Sequence, residues 1–161
     1  MPLDPQVIEI YKNKPAPPDK YILEDMRKNA DAVFNDKTEI IGIHKYEDRT
    51  ILGYLPIRIF YPGDCGPYPV LIYFHGGGFV MHNIASHDSL CRKLATEFNR
   101  IVVSVNYRLA PEFKYPACME DGNAAFKWVY ENAESFGGIP EKIILSGDSA
   151  GATISASVCL S

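Results

Sequence analysis

The sequence predicts an α/β fold built on a mostly parallel sheet, and three observations predict it. Residues Val70–Phe74, Ile101–Val105 and Ile143–Leu145 form nearly continuous apolar runs, the pattern of strands covered on both faces. The segments between these runs are long enough for crossover helices and carry helical periodicity. Upstream of them the pattern alternates apolar and polar, as in an antiparallel hairpin with one buried face.

Taken in order, residues 1–36 read as a helical segment distinct from a core over 37–161. Asp4 followed by Pro5 is an N-cap with proline at the first helical position, and Val7, Ile8 and Tyr11 form a short apolar face. Pro15, Pro17 and Pro18 break this helix, and Ile22, Met26, Ala30 and Val33 mark a second. Both faces are narrow, so these helices are expected to cover something else. In the hairpin, Ile41 and Ile43 open the first arm, Glu47 to Thr50 supply a polar turn, and Leu55, Ile57, Ile59 and Tyr61 line the second. Pro56 predicts an edge position, since proline donates nothing to a ladder. The first crossover helix spans Ser86 to Phe98, with Leu90, Leu94, Ala95 and Phe98 expected on one face. The second spans Ala117 to Asn132, and Gly137-Gly138 close it.

Composition removes several functional classes. Of 161 residues, 47% are hydrophobic and 22% charged, ordinary for one globular domain. Sixteen basic against twenty acidic residues give a net charge of −4, which offers nucleic acid no electrostatic footprint. No apolar run approaches the roughly 18 residues of a membrane span, and the N-terminus lacks a secretory pattern, so a cytoplasmic location is expected. Cys65, Cys91, Cys118 and Cys159 are scattered without a C-x-x-C pair. Three disulfide pairings are open to them, but they read best as small buried hydrophobes in a reducing cell.

Two motifs carry chemistry. Gly147-Asp148-Ser149-Ala150-Gly151 directly follows a strand and precedes an alanine-rich stretch. In a G-x-S-x-G elbow the serine sits on a sharp strand-to-helix turn with its hydroxyl above the sheet edge. Gly147 and Gly151 are required where a Cβ would clash between helix and strand, and Ser149 starts a helix whose N–H groups favour developing negative charge. By itself the pentapeptide also fits a plain glycine-rich turn with a serine cap. His75-Gly76-Gly77-Gly78 follows the third strand, where side-chain-free backbone N–H donors can approach an oxyanion. A phosphate-binding Walker loop would need Gly-Lys-Ser/Thr, which is missing.

The chain resembles the hormone-sensitive-lipase-like carboxylesterases among the α/β-hydrolases. The matching stretches are Tyr73 to Phe79, Tyr107-Arg108-Leu109-Ala110-Pro111-Glu112, Tyr115-Pro116-Ala117, Glu120-Asp121 and Gly147 to Gly151. The resemblance implies the N-terminal half of that fold, a small-molecule ester substrate and no cofactor. It makes Ser149 the nucleophile and the N–H groups of Gly77, Gly78 and Ala150 the oxyanion hole. His75 and Gly76 brace the glycine loop, Gly147, Asp148 and Gly151 support the elbow, and residues 1–36 form part of a cap. Tyr107 to Glu112 is expected to be structural. The departures are Ala152 and Thr153 where the family has glycine and often asparagine, and Phe113-Lys114 where it often has His-Pro.

Triads of this fold run Ser, then Asp or Glu, then His. The twelve residues after Ser149 hold neither an acid nor a histidine, so the chain is expected to be incomplete or inactive by itself. The apolar stretch Ala150 to Leu160 and an open strand at 143–145 then predict self-association or pairing with a C-terminal half. The alternative is a catalytically dead derivative kept as a small-molecule binding or interaction module. His82 and His87, beside Asp88, could offer a dyad to Ser149, but they read more plainly as a polar loop histidine and a helix-start residue. Their spacing and the absence of HExxH give no metal site.

Overall fold

The computed structural model describes residues 4–13, 22–36 and 41–161. Helix α1 spans Pro5–Lys12, and the Asp4 carboxylate accepts a 2.8 Å hydrogen bond from the Gln6 N–H, the cap expected of Asp-Pro. Helix α2 spans Leu23–Asp36. Five strands follow, β1 (Lys45–Ile51), β2 (Leu55–Tyr61), β3 (Tyr68–Phe74), β4 (Ile101–Val105) and β5 (Gly138–Gly147). Helix α3 (Asp88–Phe98) joins β3 to β4, α4 (Ala117–Asn132) joins β4 to β5, and α5 (Ala150–Cys159) follows β5.

The sheet order is β1-β2-β4-β3-β5. The first two pairings are antiparallel, and β3 pairs parallel with both β4 and β5. The chain therefore leaves β3 for one neighbour and returns past it to the other. Right-handed crossovers then put α3 and α4 on opposite faces, and the period-2 alternation of β3 shows it. Val70, Ile72 and Phe74 pack with Ala125, Val129, Ile154 and Val158 of α4 and α5. Leu71 and Tyr73 pack with Cys91 and Ala95 of α3. The expected mostly parallel sheet with an antiparallel hairpin is thus present.

Several local expectations are corrected. Glu47 to Thr50 lie within β1, and the turn is Leu52-Gly53, both with positive φ (55° and 77°) as in mirror-image hairpin turns. The charges of β1 are tolerated because Asp48 is exposed and pairs with Arg58, and the half-buried Glu47 and Arg49 pair with each other. Pro56 does not mark an edge, since β2 is flanked by β1 and β4. Its carbonyl accepts a 3.0 Å bond from the Asn106 N–H just past β4, so its missing N–H falls at the end of the β2–β4 ladder. On α3 the buried positions are Cys91 and Ala95, with Leu94 packed beside them, whereas Leu90 and Phe98 are exposed. Cys65 and Cys159 are exposed, and only Cys91 and Cys118 behave as buried hydrophobes. Helix α5 buries one face and leaves Leu160 exposed, so it is not covered all round. Among the described residues no helix is long and apolar enough to cross a membrane.

β5 is covered on one face only. Ile143 and Leu145 pack against the α4 and α5 layer, while Ile144 is 48% exposed because α3 covers β2, β4 and β3 instead. Ile72, fully buried, should therefore cost about 2–5 kcal/mol when cut to alanine. Ile144→Ala should cost about 0.5 kcal/mol or less. Urea denaturation of the two variants measures the contrast.

Candidate active site

Parallel pairing aligns Phe74 with Gly147, the last residues of β3 and β5. The chain leaves both strands at one level, so His75-Gly76-Gly77-Gly78 and Asp148-Ser149 emerge side by side at the C-terminal edge of the sheet. Open α/β sheets place their binding crevices at such edges. The turn into α5 is tight enough to need its glycines. A Cβ on Gly147 would lie 2.4 Å from the Phe74 carbonyl oxygen, and one on Gly151 would lie 1.9 Å from the same atom. Ser149 caps α5 with φ 50° and ψ −115°, a costly backbone conformation for a residue with a side chain, and it is exposed. Ala150 is buried as the first residue of the helix.

Asp148 joins the two motifs. Its carboxylate accepts 2.8 Å hydrogen bonds from the Gly76 N–H and the Tyr73 hydroxyl, and His87 Nε2 stands 3.4 Å away. Burial alone would raise this carboxyl, but the Tyr73 hydroxyl, the Gly76 N–H and His87 together hold it below its ordinary range. Desolvation first, and the Asp148 bond second, push the Tyr73 hydroxyl well above its usual value. A Cβ on Gly76 would sit 2.0 Å from Asp148 Oδ2, so this glycine is required by the clasp itself. Gly77 and Gly78 have φ of 116° and 62°, and Phe79 follows at 65°.

Behind the loop lies a buried polar layer. His75 is fully buried, its Nδ1 lies 2.8 Å from the Gly76 carbonyl oxygen, and its ring stacks on Tyr107 at 4.4 Å. Burial pushes His75 down to about 4, so it is neutral near pH 7. The Tyr107 hydroxyl donates to the His75 carbonyl at 2.6 Å, and the Arg108 side chain donates to the buried Asp121 carboxylate. His75 and Tyr107 thus both contact backbone oxygens of the 75–76 stretch. His87 stands at the start of α3, as read from the sequence, but it is only 2% exposed and its Nε2 reaches the Asp148 carboxylate. Tyr73, His87 and Tyr107 are the residues that sequence reasoning left out of the site. Among the described residues no group of three or more His, Cys, Asp or Glu side chains could hold a metal.

Two cavities flank this edge. One of about 310 Å³ lies against Gly78 and is walled by Phe79, Ala110, Phe113, Cys118 and Met119. A second of about 680 Å³ is lined in part by Arg27, Tyr54, His82, Tyr107 and Phe113. Phe113 borders both, which gives the departure noted at that position a place in the pocket wall.

The sequence profile of the alpha/beta hydrolase fold matches residues 71–161, more than half of the chain. The chain belongs to this family. Among the relatives of this α/β-hydrolase-fold chain is Esterase LipI of Mycobacterium tuberculosis, 49% identical over 107 residues, which are 65% of this chain and 33% of that protein. Another is the gibberellin receptor GID1 of Oryza sativa subsp. japonica, 47% identical over 92 residues, 55% of this chain and 26% of the receptor. A solved esterase of Pyrobaculum calidifontis superposes with a TM-score of 0.87 at 36% identity, covering 99% of this chain and 53% of that one. The chain thus spans between about a quarter and about half of the length of these relatives. Its sheet and flanking helices are the N-terminal part of the hydrolase fold.

A folded carboxyl held below its unfolded value contributes stability that is complete above about pH 4 and is lost as pH falls through the lower folded value. Asp148→Asn should therefore lower stability at pH 6 and flatten its decline below pH 4. Denaturation midpoints of both proteins from pH 6 to pH 2.5 test the sign, and parallel curves would contradict it.

Proposed function

We propose that this chain carries the nucleophile and oxyanion hole of a carboxylic ester hydrolase acting on small-molecule esters. The observation that supports it most is the Asp148–Gly76 hydrogen bond, which ties the serine turn to the glycine loop. In this reading Ser149 Oγ attacks the ester carbonyl. The oxygen gains negative charge and is met by the N–H groups of Gly77, Gly78 and Ala150, preorganised donors that need no reorientation. The carbonyl re-forms as the C–O bond to the alcohol breaks, leaving an acyl-serine that water then cleaves to the acid. The serine proton needs a general base, and residues 150–161 contain no histidine or acid. The base of this reading therefore lies outside that stretch. The 310 Å³ cavity against Gly78, walled by Phe79, Phe113 and Met119, suits one apolar arm of the ester. Residues 1–36 act as part of a cap, a reading supported by the bonds of Arg27 to the 80 and 110–112 segments. Relatives named as esterases support the reaction class.

A receptor among the relatives favours one second reading, a module that binds a small molecule without turning it over. Hydrolysis of p-nitrophenyl butyrate by the protein as the cell makes it separates the two. The ester-hydrolase reading expects turnover that Ser149→Ala lowers by at least about 10³-fold. Saturable binding without turnover, or turnover indifferent to Ser149→Ala, overturns it.

A further inference from the structure

We infer that Arg27 on α2 is a positioning residue for the glycine loop, holding the loop's far end as Asp148 holds its near end. The inference rests on the ester-hydrolase reading of that loop.

Gly77, Gly78 and Phe79 are three consecutive residues with positive φ, at 116°, 62° and 65°. Phe79 pays a steric cost there that glycine escapes, and such a run persists only where its surroundings hold it. At the near end the Gly76 N–H is held by Asp148. At the far end the Val80 and Met81 N–H groups donate back to the Gly77 carbonyl at 3.1 and 3.0 Å, and the Ala110 N–H donates to the Phe79 carbonyl at 2.8 Å. These bonds close the turn on itself and on the 110 loop. The 110 loop is itself held to α4 by the Arg108 bonds to Asp121, and none of these bonds reaches α2.

Arg27 adds a direct tie from α2 to both loops. Its Nε donates to the Val80 carbonyl at 2.7 Å and its Nη2 to the Ala110 carbonyl at 2.9 Å. The same guanidinium forms a two-point pair with Glu112, at 2.8 Å on each oxygen. One planar group thus spans helix α2, the glycine loop and the 110–112 loop. Only a guanidinium can donate along three edges in one plane, so an ammonium at this position cannot replace it. The Glu112 pair is half-exposed and behaves as an ordinary surface ion pair. The carbonyl bonds are what reach the loop.

The test uses Arg27→Met, Arg27→Lys and Glu112→Gln, with two readouts. Amide hydrogen exchange at Val80, Met81 and Ala110 should rise about tenfold in both Arg27 variants. It should stay within about twofold of the parent in Glu112→Gln, where the carbonyl bonds remain. Amides of the central strand 101–105 must remain protected, and if Arg27→Met fails this check the lysine variant decides. For p-nitrophenyl butyrate, kcat should fall about tenfold in both Arg27 variants with KM nearly unchanged, as expected when donors lose alignment with the oxyanion. Unchanged exchange over 77–81 overturns the inference, as does rescue of both readouts by lysine. Faster exchange with unchanged kcat overturns the positioning role. A parent protein with no turnover overturns the ester-hydrolase reading alone, and exchange still decides whether Arg27 holds the loop.

Discussion

The parallel register of β3 against β5 is the constraint on which the site depends. Phe74 faces Gly147, so the turns that follow both strands leave the sheet together. That register is set lower down, where the pairing steps from Pro69–Ile139 to Val70–Ile143 and the intervening residues of β5 bulge out of the ladder. A slip of one residue would reverse the faces of Ile143, Ile144 and Leu145 and move the serine turn by a residue's rise. Burial of Val70 and Ile72 against the helix layer prevents that slip.

Above the register, contact distances leave little freedom. The Phe74 carbonyl is approached so closely by Gly147 and Gly151 that neither position admits a Cβ. Steric fit sets where α5 begins, and Asp148 then sets where the glycine loop lies. A carboxylate can accept several hydrogen bonds at once, and Asp148 uses that capacity on a strand hydroxyl, a loop N–H and a histidine from the α3 start. Charge-assisted bonds of this kind are about twice as strong as neutral ones. Desolvation opposes the charge on Asp148, and these partners outweigh it.

Much of this was legible from residue pattern. The apolar runs of β3 and β4 declare themselves because burial on both faces leaves no room for polar residues, whereas β5 carries the same kind of run with one face open. Glu47-Asp48-Arg49-Thr50 misled because an edge strand with exposed and half-buried side chains carries the composition of a turn, while the real turn bears a leucine at positive φ. Gly53, the single glycine between the two arms, was the available signal. On α3, Leu90 and Phe98 fit the apolar stripe in sequence, but the sheet beneath is reached through the smaller Cys91 and Ala95. In the site, the two motifs could be read because each is local. Tyr73, His87 and Arg27 could not, since their roles depend on partners 53 to 85 residues away or on a different strand end. Nothing in a strand tyrosine or a helix-start histidine marks it as a tether until the register is known.

The clasps described here are indifferent to whether a bond is broken. Asp148 on Gly76, Tyr107 on the His75 carbonyl and Arg27 on Val80 all fix the backbone. Burial keeps His75 neutral near pH 7, so this histidine adds no charge beneath the loop. In the proposed reading such a scaffold would present amide donors equally to an oxyanion forming during acyl transfer or to the oxygen of a ligand that only binds. Proteins named as esterases and one named as a receptor stand among the relatives of this chain. In the proposed reading, whether a bond is broken turns on atoms the clasps do not hold, the Ser149 hydroxyl and the base that would take its proton.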